Sequence, residues 1–134
     1  MMKLSDIRDF IATLGLAEYV YMGKLDAKKE KAIGVYNSKH AHSYQTAIGG
    51  PALKSYGIKY VSFLVHWNKS PRETENAAVS LFKALEAVRE KTINNETIKF
   101  IQLLTNEPVD VGTDDAGIYE MVIEAAVIYQ KEDK

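Results

Sequence analysis

Hydrophobic residues recur along the chain with two periods, one typical of helices and the other typical of strands. Apolar positions at helical spacing run from Leu4 to Leu14, and Gly15 follows them as a stop signal. A second start signal occupies residues 70–73, where a serine, a proline and a glutamate stand in the order that caps a helix. The apolar stripe behind it continues to Val88, so the pattern predicts two main helices.

Other segments alternate with a period of two or are rich in β-branched and aromatic residues, and we predict strands for them. In chain order these segments are Tyr19–Met22, Ala32–Tyr36, Ile58–Trp67, Thr97–Leu104 and Ile118–Gln130. In the third segment, every second residue from Val61 to Trp67 should meet the core. In the last segment, Glu120 and Glu124 indicate that one face is partly solvated.

Between these segments, turn residues indicate where the chain reverses. Asn94-Asn95 is interpreted as a turn, and residues 110–117 are interpreted as a hairpin loop. The resulting order of elements predicts an α+β fold with a mainly antiparallel β-sheet and two main helices packed on one face.

Some predicted strands have apolar residues on both faces. Strict alternation places Ile98, Phe100 and Leu104 on one face and Ile101 and Leu103 on the other. A small domain with few helices has difficulty covering two apolar faces. Two interpretations stay open: the first helix and the long loop before the third strand cover the second face, or another subunit covers it.

Composition narrows the class of protein. The chain has 134 residues, 17 basic and 18 acidic side chains, a formal net charge of -1 and no cysteine. The length fits a single domain, 1–134, and the near-neutral charge provides no field that would hold nucleic acid or an anionic membrane. Without cysteine there are no disulfides, thiolate nucleophiles or cysteine-ligated zinc. No apolar stretch resembles a signal peptide or a membrane span, so we expect an intracellular protein.

Two segments contain side chains with the potential for chemistry. His40 and His42 would point the same way in an extended segment, as two metal ligands do, and His66 joins them only if the fold brings it near. Ordinary loop histidines are the other interpretation. The carboxylates of residues 110–115 lack the spacing of a calcium loop, which favours a solvated turn. Because no nucleophile motif or phosphate-binding loop is found, the residues predict no cofactor and do not support an enzyme.

Three stretches of the chain resemble a known protein family. They are Lys31–Asn37 (KAIGVYN), Leu64–Glu75 (LVHWNKSPRETE) and Glu107–Asp115 (EPVDVGTDD). In these stretches, and over nearly the whole chain, the sequence resembles a bacteriophage minor capsid protein family related to tail terminator and tail completion, or head-tail joining, proteins. That family has no catalytic motif, so the resemblance implies a non-enzymatic structural protein with a tail-terminator-like fold.

The resemblance also implies a location and partners. Such subunits assemble with copies of themselves, typically as a hexameric ring, on the end of the tail tube, stop its growth and dock to the head connector. We therefore expect a virion protein at the head-tail junction, present in the host cytoplasm during assembly, with DNA passing through the lumen without specific binding and with no membrane partner. The alternative is a head-side minor capsid or connector component, or, more distantly, a small metal-dependent enzyme.

No residue inherits a catalytic or metal-binding role from the resemblance. The candidates for subunit contacts or for the ring lumen come from the loop 38–50 and from the acidic loop: Lys39, His40, His42, Asp110, Asp114 and Asp115. If the acidic loop faces the lumen, its negative charge would keep the DNA backbone from adhering.

Overall fold

The computed structural model describes residues 1–38 and 55–131, and every structural statement concerns this part of the chain. These residues form two α-helices and a seven-stranded sheet, which confirms the predicted α+β class and the mainly antiparallel pairing. In chain order the elements are α1 (Leu4–Thr13), β1 (Tyr19–Met22), β2 (Ala32–Asn37), β3 (Tyr56–His66), α2 (Pro71–Glu86), β4 (Arg89–Ile93), β5 (Glu96–Leu103), β6 (Val109–Thr113) and β7 (Tyr119–Gln130).

The long strand β7 lies at the centre of the sheet. The strand order is β1-β2-β3-β7-β5-β4, with β6 also paired to β7. Because β3 occupies one edge of β7, β5 and β6 share the other edge, where β6 pairs with residues 119–122 and β5 with residues 125–129. Strands β1 and β2 are parallel, so the connection 23–31 returns the chain to the end at which β1 began.

Both helices pack on one face of the sheet and contribute to the same buried cluster. Helix α2 contacts β3, β5 and β7, whereas α1 contacts β1, β2 and β4. Since β1 and β4 are at opposite ends of the strand order, the sheet must curl around the helices. Asn94, between β4 and β5, supports this curl by donating hydrogen bonds to Asp6 and Asp9 of α1 at 3.0 and 2.8 Å.

The core lies between the helices and alternate residues of β3 and β7. Val61, Phe63 and Val65 are fully buried, as the alternation predicts, and Trp67 is half-buried against the same cluster. On β7, the alternate residues from Ile123 to Val127 on this face are also fully buried. Each fully buried side chain of this size contributes about 1.5–3 kcal/mol, so this face accounts for much of the burial that holds the sheet to its helices.

The alternation places Ile98 of β5 on the wrong face of the sheet. The pairing of β5 with β7 shifts register between Ile98 and Phe100, which is the signature of a β-bulge. The extra residue reverses the alternation, so Ile98 shares the core with Ile101 and Leu103. Phe100 instead points to the other face and is 42% exposed. Strict alternation could not anticipate this, because it assumes an unbroken ladder.

The second helix is also shorter than predicted, and a strand that the pattern missed follows it. Helix α2 ends at Glu86, and β4 begins at Arg89. Asn94 and Asn95 have positive φ angles of 52° and 65°, as in a two-residue hairpin turn, which joins a strand on each side. Val88 is therefore buried after the helix rather than as part of it.

The composition of residues 110–117 predicts a hairpin loop, but only part of this segment is a loop. The first part belongs to β6, and the turn begins at Asp114. The backbone of Asp114 donates to the Ile118 carbonyl at 2.9 Å, and Gly117 adopts a φ of 85°, which glycine accepts without strain. The acidic segment is thus a short hairpin of β6 and β7.

Removing the hydroxyl that caps α2 should destabilise the fold. Ser70 Oγ accepts a hydrogen bond from the Glu73 backbone at 3.2 Å, as the sequence predicts. Ser70→Ala should lower the free energy of unfolding by about 1 kcal/mol, measured by urea denaturation. Ser80→Ala, at an exposed position of the same helix, is the control and should change it much less. Equal losses in the two variants would contradict the capping role.

Candidate functional site

The face of the sheet opposite the two described helices, here called the open face, combines apolar and polar side chains. Its central members are Tyr36, Tyr60, Ser62, Leu64, His66, Glu120, Val122 and Glu124. Both glutamates are half-buried. Their carboxylates therefore need hydrogen-bond partners, since an unpaired charge is costly to remove from water.

Glu124 obtains its partners from two serine hydroxyls. Ser62 stands directly opposite on β3, and its Oγ donates to Glu124 at 2.5 Å. Ser38, which follows β2, donates to the other carboxylate oxygen at 3.0 Å. These hydrogen bonds connect the end of β2 with the middle of β7 across the open face.

His66, at the end of β3, connects three further segments. Its side chain is fully buried, and Nδ1 lies 2.7 Å from Glu120 Oε2 on the adjacent strand β7. Nε2 lies 3.0 Å from the carbonyl oxygen of Ala27, in the connection between β1 and β2. The same nitrogen is 3.9 Å from Asp114 Oδ2, at the turn between β6 and β7.

These partners determine the orientation of the imidazole ring. A backbone carbonyl can only accept a hydrogen bond, so the proton between Nε2 and Ala27 belongs to His66. The proton between Nδ1 and Glu120 joins the two side chains whichever of them carries it. Both ring nitrogens are thus used, and His66 connects Glu120 with the connection 23–31 at the end of the sheet where Asp114 of the β6–β7 hairpin also approaches the ring.

Asp114 organises the hairpin itself. The hydrogen bond from the Ile118 amide, at 2.9 Å, is the main cause that holds the pKa of the Asp114 carboxyl below its ordinary value of 3.8. Burial opposes this effect, while the amides of Ala116 and Gly117 and the positive potential of His66 act in the same direction as Ile118. The ionised form of Asp114 therefore stabilises the turn.

His66, Asp114 and Glu120 are also residue types that bind divalent metal ions, and their ligand atoms lie within 4.8 Å of one another. An ion at this position would have to displace either Glu120 or the Ala27 carbonyl, because each already bonds to one ring nitrogen. Among the described residues, every buried side-chain nitrogen or oxygen has a partner. The contacts of His66, Asp114 and Glu120 are therefore hydrogen bonds and charge contacts that support the neighbouring loops.

A cleft of about 770 Å³ lies farther along the open face. Its apolar lining includes Ile58, Phe100 and Ile128, and its polar lining includes Arg89 and Lys99. These side chains come from β3, β4, β5 and β7, so the cleft is a concave feature of the sheet rather than a space between separate units. Such a surface suits contact with another protein.

Exposed apolar side chains also mark two sides of the sheet. On β1, Tyr19 is 38% exposed and Met22 is 50% exposed. On β6, Val109 is 43% exposed and Val111 is 50% exposed. Apolar residues on short outer strands are typical of surfaces that meet other chains.

The site is thus a set of exposed apolar surfaces and a cleft, supported by buried hydrogen bonds on a curled α+β sheet. A family model described as bacteriophage tail terminator protein matches residues 7–131. The chain belongs to the bacteriophage tail terminator family. A comparison with curated proteins found no match. The resemblance seen in the sequence is confirmed at the level of the family, which supports a structural protein of a bacteriophage tail.

The structure brings together only some of the residues that we predicted as contacts of the tail terminator. Lys39, His40 and His42 lie outside the described residues. Asp110, Asp114 and Asp115 belong to one hairpin, as expected, but they have different surroundings. The three aspartates differ in their exposure and in their hydrogen bonds.

Asp110 accepts a hydrogen bond from the Gly112 amide at 2.8 Å while its residue stays exposed. Asp114 is half-buried and bonded within the turn. Asp115 is exposed at the tip. Of the three aspartates, Asp115 is therefore best placed to contact a neighbour without loss of a bond within the hairpin. No helix in the described part of this tail terminator combines the length and apolar character that crossing a membrane requires.

Sequence reasoning missed the pairing of His66 with Glu120. Both residues stand on the polar face of an alternating strand, which is the one signal that the sequence contains. Their contact depends on β3 lying beside β7 in a register that places the two residues opposite each other. Neither the neighbour nor the register follows from alternation alone.

Replacing His66 should destabilise the fold, because its partners lose their hydrogen bonds. Part of that loss should disappear when Glu120 is replaced as well. His66→Leu leaves the Glu120 carboxylate and the Ala27 carbonyl without their hydrogen bonds, which should lower the free energy of unfolding by about 1–3 kcal/mol. In His66→Leu/Glu120→Leu no carboxylate is stranded, so the loss should be smaller than the sum of the two single losses. Urea denaturation of the four proteins measures this coupling. Strictly additive losses would show that the two side chains do not stabilise each other.

Proposed function

We propose that this chain assembles as a ring of identical subunits, six in number, on the end of the completed tail tube. The ring stops addition of tube subunits and presents its other side to the head connector, so that DNA passes through the lumen without specific binding. The family supports a structural role in the phage tail, and the resemblance described from the sequence supports the ring, the number of its subunits and the docking.

The observation that favours an assembling subunit most is the number of large apolar side chains left to water. At the cleft of the open face, Tyr56 is 45% exposed and Phe100 is 42% exposed, and Leu104, just after β5, is 38% exposed. The outer strands β1 and β6 add further exposed apolar residues. Burial against other proteins would remove this surface from water, which is the usual driving force of association.

Charge supports passage of DNA rather than its retention. The formal net charge of -1 gives the subunit no global attraction for a polyanion. Non-specific binding of DNA depends on clustered basic side chains that replace its counterions. A ring of such subunits would surround DNA without holding it in place.

The proposal predicts that the purified chain binds to tail tubes and prevents their elongation. Tubes of the phage that encodes the chain, prepared without it, are incubated with the chain and then with fresh tube subunit. We expect bound chain in multiples of the 15.0 kDa subunit, measured by light scattering of the complexes, and no increase in tube length by electron microscopy.

Complete tails provide the control, because their ends are already occupied and should bind no added chain. If the chain ignores bare tubes and binds purified head connector instead, the head-side alternative replaces the terminator role. If tubes elongate normally with chain bound along their sides, capping is wrong.

A further inference from the structure

The exposed apolar pairs on β1 and β6 lie at two sides of one sheet. Four strand-to-strand steps separate them, through β2, β3 and β7. At about 4.8 Å per step, the two strands are about 19 Å apart along the sheet. The exposed apolar pairs therefore lie on separate sides of one copy, although the connection after β1 and the β6–β7 hairpin both reach His66.

The register shows that the two strands stand at the same level. One row across β1, β2, β3, β7 and β6 consists of Tyr19, Ala32, His66, Glu120 and Gly112. Another row consists of Tyr21, Gly34, Leu64, Val122 and Val109. In a ring whose axis runs along the strands, rotation keeps every feature at its own height. Side chains of β1 and of the next copy's β6 would therefore meet without any shift.

The charges beside the two strands are opposite. Residues 104–120, which contain β6 and its hairpin, have five carboxylates and no basic side chain. The connection 23–31 after β1 has four lysines against two carboxylates, Asp26 and Glu30, and Lys24, Lys28 and Lys29 are exposed. Lys29 Nζ lies 5.5 Å from the centre of the Tyr19 ring. In the described part of the chain, neither Lys24 nor Lys28 forms an ion pair with a carboxylate.

The order of charges along the two strands also matches. Lys24 follows Met22 at one end of β1, and Glu107 precedes Val109 at the corresponding end of β6. At the opposite end, His66 contacts both the connection, through Ala27, and the hairpin, through Asp114. The lysines near Ala27 and the aspartates of the hairpin therefore share one height.

We infer that the tail terminator docks to a second copy of itself head to tail, with the β1 surface (Tyr19, Met22, Lys24 and Lys28) against the β6 surface (Glu107, Val109, Val111 and Asp115) of the next copy. This inference rests on the ring proposed above. The contact uses side chains and does not extend the sheet, because Arg8 Nε already donates to the Val20 carbonyl of β1 at 3.0 Å. Since the two surfaces differ, the contact can repeat around an axis, and it closes as a ring when the rotation between copies divides a full turn.

Charge-reversed variants test this contact. In one variant, Lys24→Glu and Lys28→Glu make the β1 surface acidic; in the other, Glu107→Lys and Asp115→Lys make the β6 surface basic. All four positions are exposed, so the fold should survive, which circular dichroism and melting temperature verify. Each variant alone brings like charges together, so half-assembly should need a roughly hundredfold higher concentration of chain.

An equimolar mixture of the two variants should recover the wild-type ring, because every contact between alternating copies then joins opposite charges. Light scattering over a concentration series, with and without tail tubes, measures the mass. Glu75→Lys/Lys83→Glu, two exposed changes on α2, is the control and should assemble as the wild type does.

If both variants assemble normally by themselves, or if folded variants fail to recover on mixing, the assigned surfaces are wrong although the terminator function stands. If the wild type forms no contact between copies, even on tubes, the inference and the ring both fall. Binding of single copies that still stops elongation would then leave only the capping function.

Discussion

The pairing of β3 with β7 is the constraint on which the other features depend. The two strands run antiparallel from Tyr56 beside Gln130 to His66 beside Glu120. Because side chains alternate, this register sends Phe63 and Ile123 toward the helices and sends Ser62 and Glu124 to the open face. A slip by one residue would exchange the two sets and bury the carboxylates in the core.

The same pairing places the groups that support the exposed surfaces beside β1 and β6. His66 contacts Glu120 because these two residues face each other as the last pair between β3 and β7. From there it holds Ala27 on the β1 side and approaches Asp114 on the β6 side. The apolar face thus stabilises the sheet, while the polar face determines where the loops stand. A well-supported arrangement of loops suits the assembling subunit that we propose.

The sequence predicts those elements whose local signals agree with the final packing. The start of α2 follows from Ser70 and Glu73, and the buried face of β3 follows from alternation, since both signals act over a few residues. The prediction is wrong where a ladder is interrupted or a neighbour decides. The bulge before Phe100 reverses one face of β5, and β4 forms because the Asn94-Asn95 turn folds it back onto β5.

The candidate site was harder to predict than the fold. The acidity of residues 110–115 was visible, but it did not reveal that Asp114 serves the turn while Asp115 is exposed. The cluster around His66 combines residues that lie up to 54 positions from His66 itself, so only the topology unites its members. Function, in turn, followed from the family, since a contact surface has no motif comparable to that of a catalytic site.

The most direct measurement is the length of tails made by the phage when the gene for this chain carries an early stop codon. A terminator that ends tube growth predicts tails that are longer than normal, variable in length and without attached heads in electron micrographs, with normal lengths restored by the wild-type gene. Tails of normal, uniform length would contradict the account, because growth would then end without this chain.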